Sequence, residues 1–184
     1  MPLIKVAKLG NPILRQIAQP IDLKSLSALN SELQTLIDNM IDTMRKEDGV
    51  GLAAPQVSRS LQLVVIECSA NDRYSEAPDI PLTVLVNPVI THFGEEKILG
   101  WEGCLSLKDL RGLVARSKKI TVEYFDRSGK PITVEAEGFP AVVIQHEIDH
   151  LHGKVFLDRM TDFSQLTYVD EFEQYIASKE PIAP

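Results

Sequence analysis

The 184-residue sequence contains only two cysteines, Cys68 and Cys104, which excludes a protein held together by a disulfide framework. It also lacks any apolar run that approaches the roughly 18 residues needed to cross a bilayer, so we expect no membrane partner. The first residues, MPLIKVAKLGNPIL, do not contain the long apolar core of a secretory signal. These absences together predict a cytoplasmic protein in which both cysteines stay reduced.

A basic run or stripe is also missing. The 26 acidic residues outnumber the 19 lysines and arginines and give a formal net charge of -7. Proteins that bind nucleic acids through phosphate contacts normally carry a basic surface. We therefore predict that the protein does not bind DNA directly.

The rest of the composition is that of an ordinary globular protein, with 44% hydrophobic and 24% charged residues and no internal repeat. A chain of this length can bury one hydrophobic core of its own. We therefore expect a single domain over residues 1–184.

Hydrophobic patterning predicts an α+β domain. Apolar residues recur with a helical period from Leu33 to Met44, Ser31 fits a capping box, and Gly49 follows as a stop signal. A weaker helical pattern spans roughly 164–178. Short apolar or alternating runs predict strands at 61–67, 82–88, 118–125 and 131–138, with a hairpin turn at 126–130. We predict antiparallel strands and sheets packed around a central helix, with an N-terminal amphipathic helix and a C-terminal helix.

The segment QHEIDHLHG contains His-Glu-x-x-His, a pattern of metal-dependent hydrolases, between Pro140 at the start and Gly153 at the end of a predicted helix. In such a helix His146 and His150 lie about 40° apart around the axis and about 6 Å along it, so both imidazoles can reach one ion. Glu147 falls on the same flank. His152 points away and is predicted to be a surface or capping histidine.

A metal site usually takes at least one more protein ligand, and the residues leave its source open. A third histidine six residues beyond His150 is excluded, because Phe156 stands there. A carboxylate about twenty residues onward, Asp170 or Glu171, would make the protein a zinc metallopeptidase. The third source is Cys104, in the upstream segment GWEGCLSL, whereas Cys68 is interpreted as a small buried hydrophobe.

Three segments match the motifs of one known family. They are GVGLAAPQV at 49–57, EGCLS at 102–106 and QHEIDHL at 145–151, and they occur in the family's order. On these motifs the chain resembles the peptide deformylases over nearly its whole length. The resemblance implies that Cys104, His146 and His150 bind the metal, and that water holds the fourth position. It would also make the single domain a catalytic one.

The resemblance implies further roles. Glu147 would act as general base and then as general acid, while the side-chain amide of Gln56 and the backbone N–H of Leu105 would stabilise an oxyanion. Val50 and Gly51 would bind the substrate, with the glycine allowing a peptide backbone to approach and pair with this edge.

The resemblance also implies the reaction and its cofactor. The reaction is hydrolysis of the N-formyl group from the initiator N-formylmethionine of nascent polypeptides, with release of formate. The cofactor is one divalent ion, Fe²⁺ first, with Ni²⁺, Co²⁺ or Zn²⁺ able to substitute. The partners would be N-formylmethionyl nascent peptides and the ribosome near its exit tunnel.

Three large side chains near these motifs are not assigned to the site. Trp101 is interpreted as a packed aromatic residue. Arg111 and Arg116 are not assigned to substrate binding, since either fits a solvated surface position.

Overall fold

A computed structural model describes residues 3–27, 32–69 and 79–177. Its helices are α1 (Glu32–Lys46), α2 (Phe139–Leu151) and α3 (Val169–Tyr175). Its strands are β1 (Gly51–Ala53), β2 (Leu63–Cys68), β3 (Ile80–Phe93), β4 (Lys97–Glu102), β5 (Leu110–Ser117), β6 (Lys119–Phe125), β7 (Pro131–Glu137) and β8 (Leu166–Tyr168). The predicted α+β class is confirmed.

The strands form two antiparallel sheets. Five strands pair in the order β1-β2-β3-β6-β7, and three pair in the order β4-β5-β8. Helix α2 contacts strands of both sheets, including β1, β2 and β5, so it lies between them. This position brings the His-Glu-x-x-His segment to the place where the two sheets meet.

Strand β2 shows why its sequence is a continuous apolar run. Val64, Ile66 and Cys68 belong to the apolar cluster that includes the buried side chains of α2. Leu63 and Val65, on the opposite face of the strand, belong to the cluster that contains the apolar stripe of α1. Because successive side chains of a strand point to opposite faces, a strand covered by helices on both sides is apolar throughout.

Helix α1 confirms the predicted amphipathic helix. Its stripe residues Ile37, Met40, Ile41 and Met44 are at most 5% exposed. The capping box predicted at Ser31 lies outside the described residues. Within the part of the chain that the structure describes, no helix has the length and apolarity needed to span a membrane.

The C-terminal helix is shorter than the sequence predicted. Over the described part of 164–178, Phe163–Gln165 forms a 3₁₀ turn, β8 follows, and α3 begins only at Val169. Leu166–Tyr168 is a strand because its backbone pairs with Leu110–Gly112 of β5, and Leu166 packs on a small apolar cluster around Phe156. Tertiary pairing here outweighs a helical pattern.

Candidate metal centre

Helix α2 carries two histidines one turn apart on a deeply buried face. The ring centroids of His146 and His150 are 5.1 Å apart, and both side chains are buried. Gly138 precedes the helix, Pro140 lies in its first turn, and Gly153 follows its end with a φ of 69°. These signals fix the helix limits as the sequence predicted. His152 is exposed at the C-terminal cap, as predicted.

Cys104 approaches the two histidines from the smaller sheet. It follows the end of β4 in an extended conformation and precedes a 3₁₀ turn at Leu105–Leu107. Its Sγ lies 3.3 Å from Nε2 of His150. One ligand atom from each of Cys104, His146 and His150 lies within 4.8 Å of the others. Three side chains thus converge, although the cysteine lies far from the histidines in sequence.

The chemistry of these three side chains suits a divalent metal ion. Burial alone opposes ionisation of the Cys104 thiol, but the neighbouring imidazoles of His150 and His146 outweigh it and hold its pKa well below the ordinary value. The thiolate is the form of cysteine that binds metals. A thiolate and two imidazoles are a ligand set for zinc and for other late transition metals.

A buried carboxylate orients one of the histidines. Nδ1 of His146 lies 2.7 Å from Oε2 of Glu102, so this nitrogen is engaged and Nε2 is left for a metal. Burial would raise the pKa of Glu102, but its hydrogen bonds with Arg116 and His146 lower it to about 2. An ionised carboxylate behind a ligating histidine fixes the ring and increases its basicity.

Glu102 is itself held by Arg116, which is 4% exposed. The guanidinium donates to both oxygens of Glu102, over 2.7 and 2.9 Å, and to Asp149 over 2.6 Å. Asp149 also accepts hydrogen bonds from Arg159. The solvated position considered for Arg116 is therefore wrong. Every second residue of β5 from Gly112 to Arg116 is buried, namely Gly112, Val114 and Arg116. This alternation is the sequence signal that indicates the burial of Arg116.

Glu147 faces the same cavity from α2, and its side chain is buried. Burial raises the pKa of its carboxyl, and the imidazoles of His146 and His150 oppose that rise. Its Oε2 has no hydrogen-bond partner among the described residues. The carboxyl group is therefore available to exchange a proton within the cavity.

Gly51 leaves room for this carboxylate. A Cβ placed on Gly51 would lie 2.7 Å from both Cγ and Cδ of Glu147, where real Cβ atoms essentially never lie. The glycine thus leaves space for the Glu147 side chain of α2, whereas the sequence suggested only close approach of a peptide. Gly51 and Val50 both line the cavity, and β1 lies at the edge of its sheet.

Gln56 and Leu105 both lie in the cavity wall next to Cys104. The Gln56 carbonyl oxygen accepts a hydrogen bond from the backbone N–H of Ala53 over 2.8 Å. Its amide nitrogen consequently faces Cys104, 3.4 Å from the sulfur, and Ser106, 3.3 Å from the hydroxyl. Leu105 follows the cysteine directly and lines the cavity.

A cavity of about 390 Å³ lies at this site, and Cys104, His146 and Glu147 line it, whereas His150 is not among its lining residues. Its walls also include Val50, Gly51, Gln56, Trp101, Glu102 and Leu105. By contrast, Asp170 and Glu171 are exposed and do not belong to the three-ligand cluster, which is the one such cluster within residues 3–27, 32–69 and 79–177. Cys68 is buried with its thiol free, as predicted.

Comparisons with known proteins point to one family. Residues 3–165 match a family model described as polypeptide deformylase. The chain is 45% identical to peptide deformylase 1 of Bordetella pertussis, over 90% of this chain and 92% of that protein. It is 46% identical to peptide deformylase 2 of Pseudomonas putida, with the same coverage.

Solved structures agree with these matches. A Met-Ala-Ser-bound class I type b peptide deformylase from Acinetobacter baumannii superposes with a TM-score of 0.82. It is 42% identical to this chain and covers 86% of it, with 99% of that chain aligned. An actinonin complex of a peptide deformylase from Synechococcus elongatus has a TM-score of 0.76 and 34% identity, over 97% of this chain and 87% of that one.

Proposed function

The chain belongs to the polypeptide deformylase family, and we propose that Cys104, His146 and His150 are the metal ligands of its active site. The protein is a metal-dependent hydrolase that removes the N-formyl group from nascent polypeptides. The observation that carries the ligand assignment is the convergence of one sulfur and two imidazole nitrogens within 4.8 Å of one another. We further propose that residues 1–184 act as one catalytic domain.

We propose Fe²⁺ as the ion, with Ni²⁺, Co²⁺ or Zn²⁺ able to replace it. The mixed thiolate and imidazole set supports this group of ions over Mg²⁺ or Ca²⁺, which prefer oxygen ligands. When bound, a divalent ion would supply Lewis-acid chemistry, which polarises a carbonyl and activates water near neutral pH. Iron rather than zinc follows from the family resemblance alone.

Glu147 is proposed as the group that moves the proton. Its carboxylate accepts a proton from the attacking water and later delivers it to the departing amine of the peptide. The raised pKa that burial gives this carboxyl supports both steps, because a group that titrates nearer neutrality can act as base and then as acid. The unpartnered Oε2 leaves one of its oxygens ready for this role.

Gln56 and Leu105 are proposed as the donors that stabilise the negative oxygen formed on the formyl carbon. The bond from Ala53 to the Gln56 carbonyl fixes the amide, so that its NH₂ group points toward Cys104. The backbone N–H of Leu105 comes from the residue next to the cysteine. Preorganised donors of this kind each contribute about 3 kcal/mol to lowering a reaction barrier.

The substrate is proposed to bind as an extra strand along β1. Val50 and Gly51 lie on the edge of the larger sheet and line the cavity, which suits backbone pairing with an extended peptide. The substrate would be an N-formylmethionyl peptide, in agreement with the Met-Ala-Ser complex of the Acinetobacter baumannii relative. We also propose that the protein works in the cytoplasm and meets this substrate at the ribosomal exit tunnel.

The proposal is tested by measuring formate released from a formyl-Met-Ala-Ser peptide by protein purified without air, with metal analysis of the same sample. We expect formate in proportion to enzyme and about one ion per chain. Iron should be the main ion in protein from cells grown without added metals. No formate from a fully loaded sample would overturn the proposal.

A further inference from the structure

The C-terminal helix forms part of the cavity, although it lies beyond the residues that the family model matches. The family model ends at residue 165, whereas α3 runs from Val169 to Tyr175. Val169, Phe172 and Glu173 nevertheless line the same cavity as Cys104 and Glu147. A helix that the family model does not cover therefore contributes to the surface that a substrate meets.

Phe172 is the buried apolar residue of this helix and is packed on Trp101. It is 4% exposed, and its ring centroid lies 5.0 Å from that of Trp101, with the planes inclined by 54°. This is within the range of favourable contact between aromatic rings. The pair joins the helix to β4, directly before Glu102 and Cys104.

The smaller sheet holds this pair in place. Trp101 of β4 pairs with Leu113 of β5, and Gly112 of β5 pairs with Leu166 of β8. Helix α3 follows β8 without an intervening loop. One continuous sheet thus connects the metal-binding cysteine to the helix, which fixes Phe172 relative to the reacting centre.

One part of the cavity lining is apolar and suits a long unbranched side chain. Phe139, Val142 and Val143, from the first turns of α2, line it together with Phe172 and Trp101. Such a surface discriminates side chains by the number of methylene or sulfur groups that it can cover.

We propose that Phe172, held on Trp101, is a specificity-determining residue that forms one wall of the pocket for the substrate's methionine side chain. This inference rests on the proposed function, because it assigns a wall to the substrate site defined there. It assigns Phe172 no part in the chemistry. Removing its ring weakens binding of methionyl substrates and leaves the bond-breaking step largely intact.

The test compares Phe172→Ala with the wild type on two substrates, formyl-Met-Ala-Ser and formyl-Ala-Ala-Ser. For the methionyl peptide, kcat/KM should fall roughly tenfold, mainly through a higher KM. For the alanyl peptide, whose first side chain does not reach the wall, kcat/KM should change less than about twofold. Equal losses on the two peptides, or no loss on either, would overturn the inference.

Tyr175→Ala is the matched control. Tyr175 lies on the same helix, is 55% exposed, and is not part of the cavity lining. It removes an aromatic ring from α3 without altering the proposed wall, so both substrates should keep their wild-type kinetics. A substrate-selective loss in this variant would show that the helix as a whole, rather than Phe172, controls selectivity, and would overturn the assignment.

A second measurement needs no variant. Trp101 is the single tryptophan of the chain, so emission excited selectively from tryptophan, and not from the four tyrosines, reports on this wall. Titration of the zinc-loaded wild type with Met-Ala-Ser should shift or quench the emission, and Ala-Ala-Ser should do so much less. Unchanged emission, while calorimetry records binding of Met-Ala-Ser, would overturn the inference. That result would still leave formate release intact and would not contradict the proposed function.

Discussion

Substitution of Gly51 by alanine would place a methyl group against the carboxylate proposed to move the proton. The new Cβ would lie 2.7 Å from Cγ and Cδ of Glu147, whereas ordinary contact begins near 3.4 Å. Both residues are buried, so the strand and the helix have little freedom to move apart. Glu147 therefore has to retreat by about 1 Å, a misplacement that can reduce a rate on the order of a hundredfold.

The assay is steady-state formate release, with metal content and thermal unfolding measured on the same samples. Gly51→Ala should lower kcat on the order of a hundredfold, while the bound metal stays unchanged, because the three atoms nearest the new methyl group belong to Glu147 and not to a proposed ligand. Some rise in KM is also expected, since Gly51 lies on the proposed substrate edge.

Gly94→Ala serves as the control for strain alone. Its Cβ would meet the backbone oxygen of Lys119 at 2.9 Å, so it introduces a similar clash. Gly94 is not part of the cavity wall, and this variant should lower the melting temperature without lowering kcat. A Gly51→Ala enzyme with wild-type kcat would refute the idea that the position of Glu147 limits turnover.

Three further predictions concern the carboxylates around the proposed metal ligands. Glu147→Ala should bind metal as the wild type does but lose on the order of a thousandfold in kcat, and full activity would contradict its role in proton transfer. Glu102→Gln should weaken metal affinity by about ten- to a hundredfold, because His146 loses its ionised partner. A metal-competition titration measures this affinity, and an unchanged value would count against the orienting role of Glu102. Because the folded-state pKa of Glu102 is about 2, below the ordinary 4.5, its stabilising effect is full above about pH 4.5 and is lost as the pH falls toward 2. Urea unfolding of the metal-free wild type should therefore show that the free energy of unfolding falls by up to about 3 kcal/mol over this pH range, and Glu102→Gln should lack this fall. Parallel curves of unfolding free energy against pH for the two proteins would refute this prediction.

The sequence could predict the elements that rest on local periodicity. Helices α1 and α2 follow from apolar spacing and from glycine and proline signals, and their observed limits are close to those predicted. The helix geometry also brought His146 and His150 together, because a separation of four residues fixes their relative positions in any α-helix.

The third ligand could not be derived in this way. The distance between Cys104 and His150 depends on how the smaller sheet packs against α2, and no local pattern encodes that packing. The family resemblance supplied Cys104, while the residues alone left the C-terminal carboxylates open. The exposed positions of Asp170 and Glu171 now argue against those carboxylates.

Tertiary context also explains the errors. Leu166–Tyr168 was expected to be helical but pairs with β5. Arg116 was considered a solvated residue but lies buried between Glu102 and Asp149. A buried arginine requires acidic partners from elsewhere in the chain, and those partners become neighbours only in the folded protein. Trp101, by contrast, was interpreted as a packed aromatic residue, and its contact with Phe172 of α3 confirms that prediction.

One thiolate and two imidazoles are proposed to hold the metal. X-ray absorption at the metal edge of zinc-loaded protein measures this ligand set directly. The proposed ligand set predicts one sulfur at about 2.3 Å and two imidazole nitrogens at about 2.0–2.1 Å, with a light atom completing the coordination. A shell of nitrogen and oxygen atoms without sulfur would contradict it.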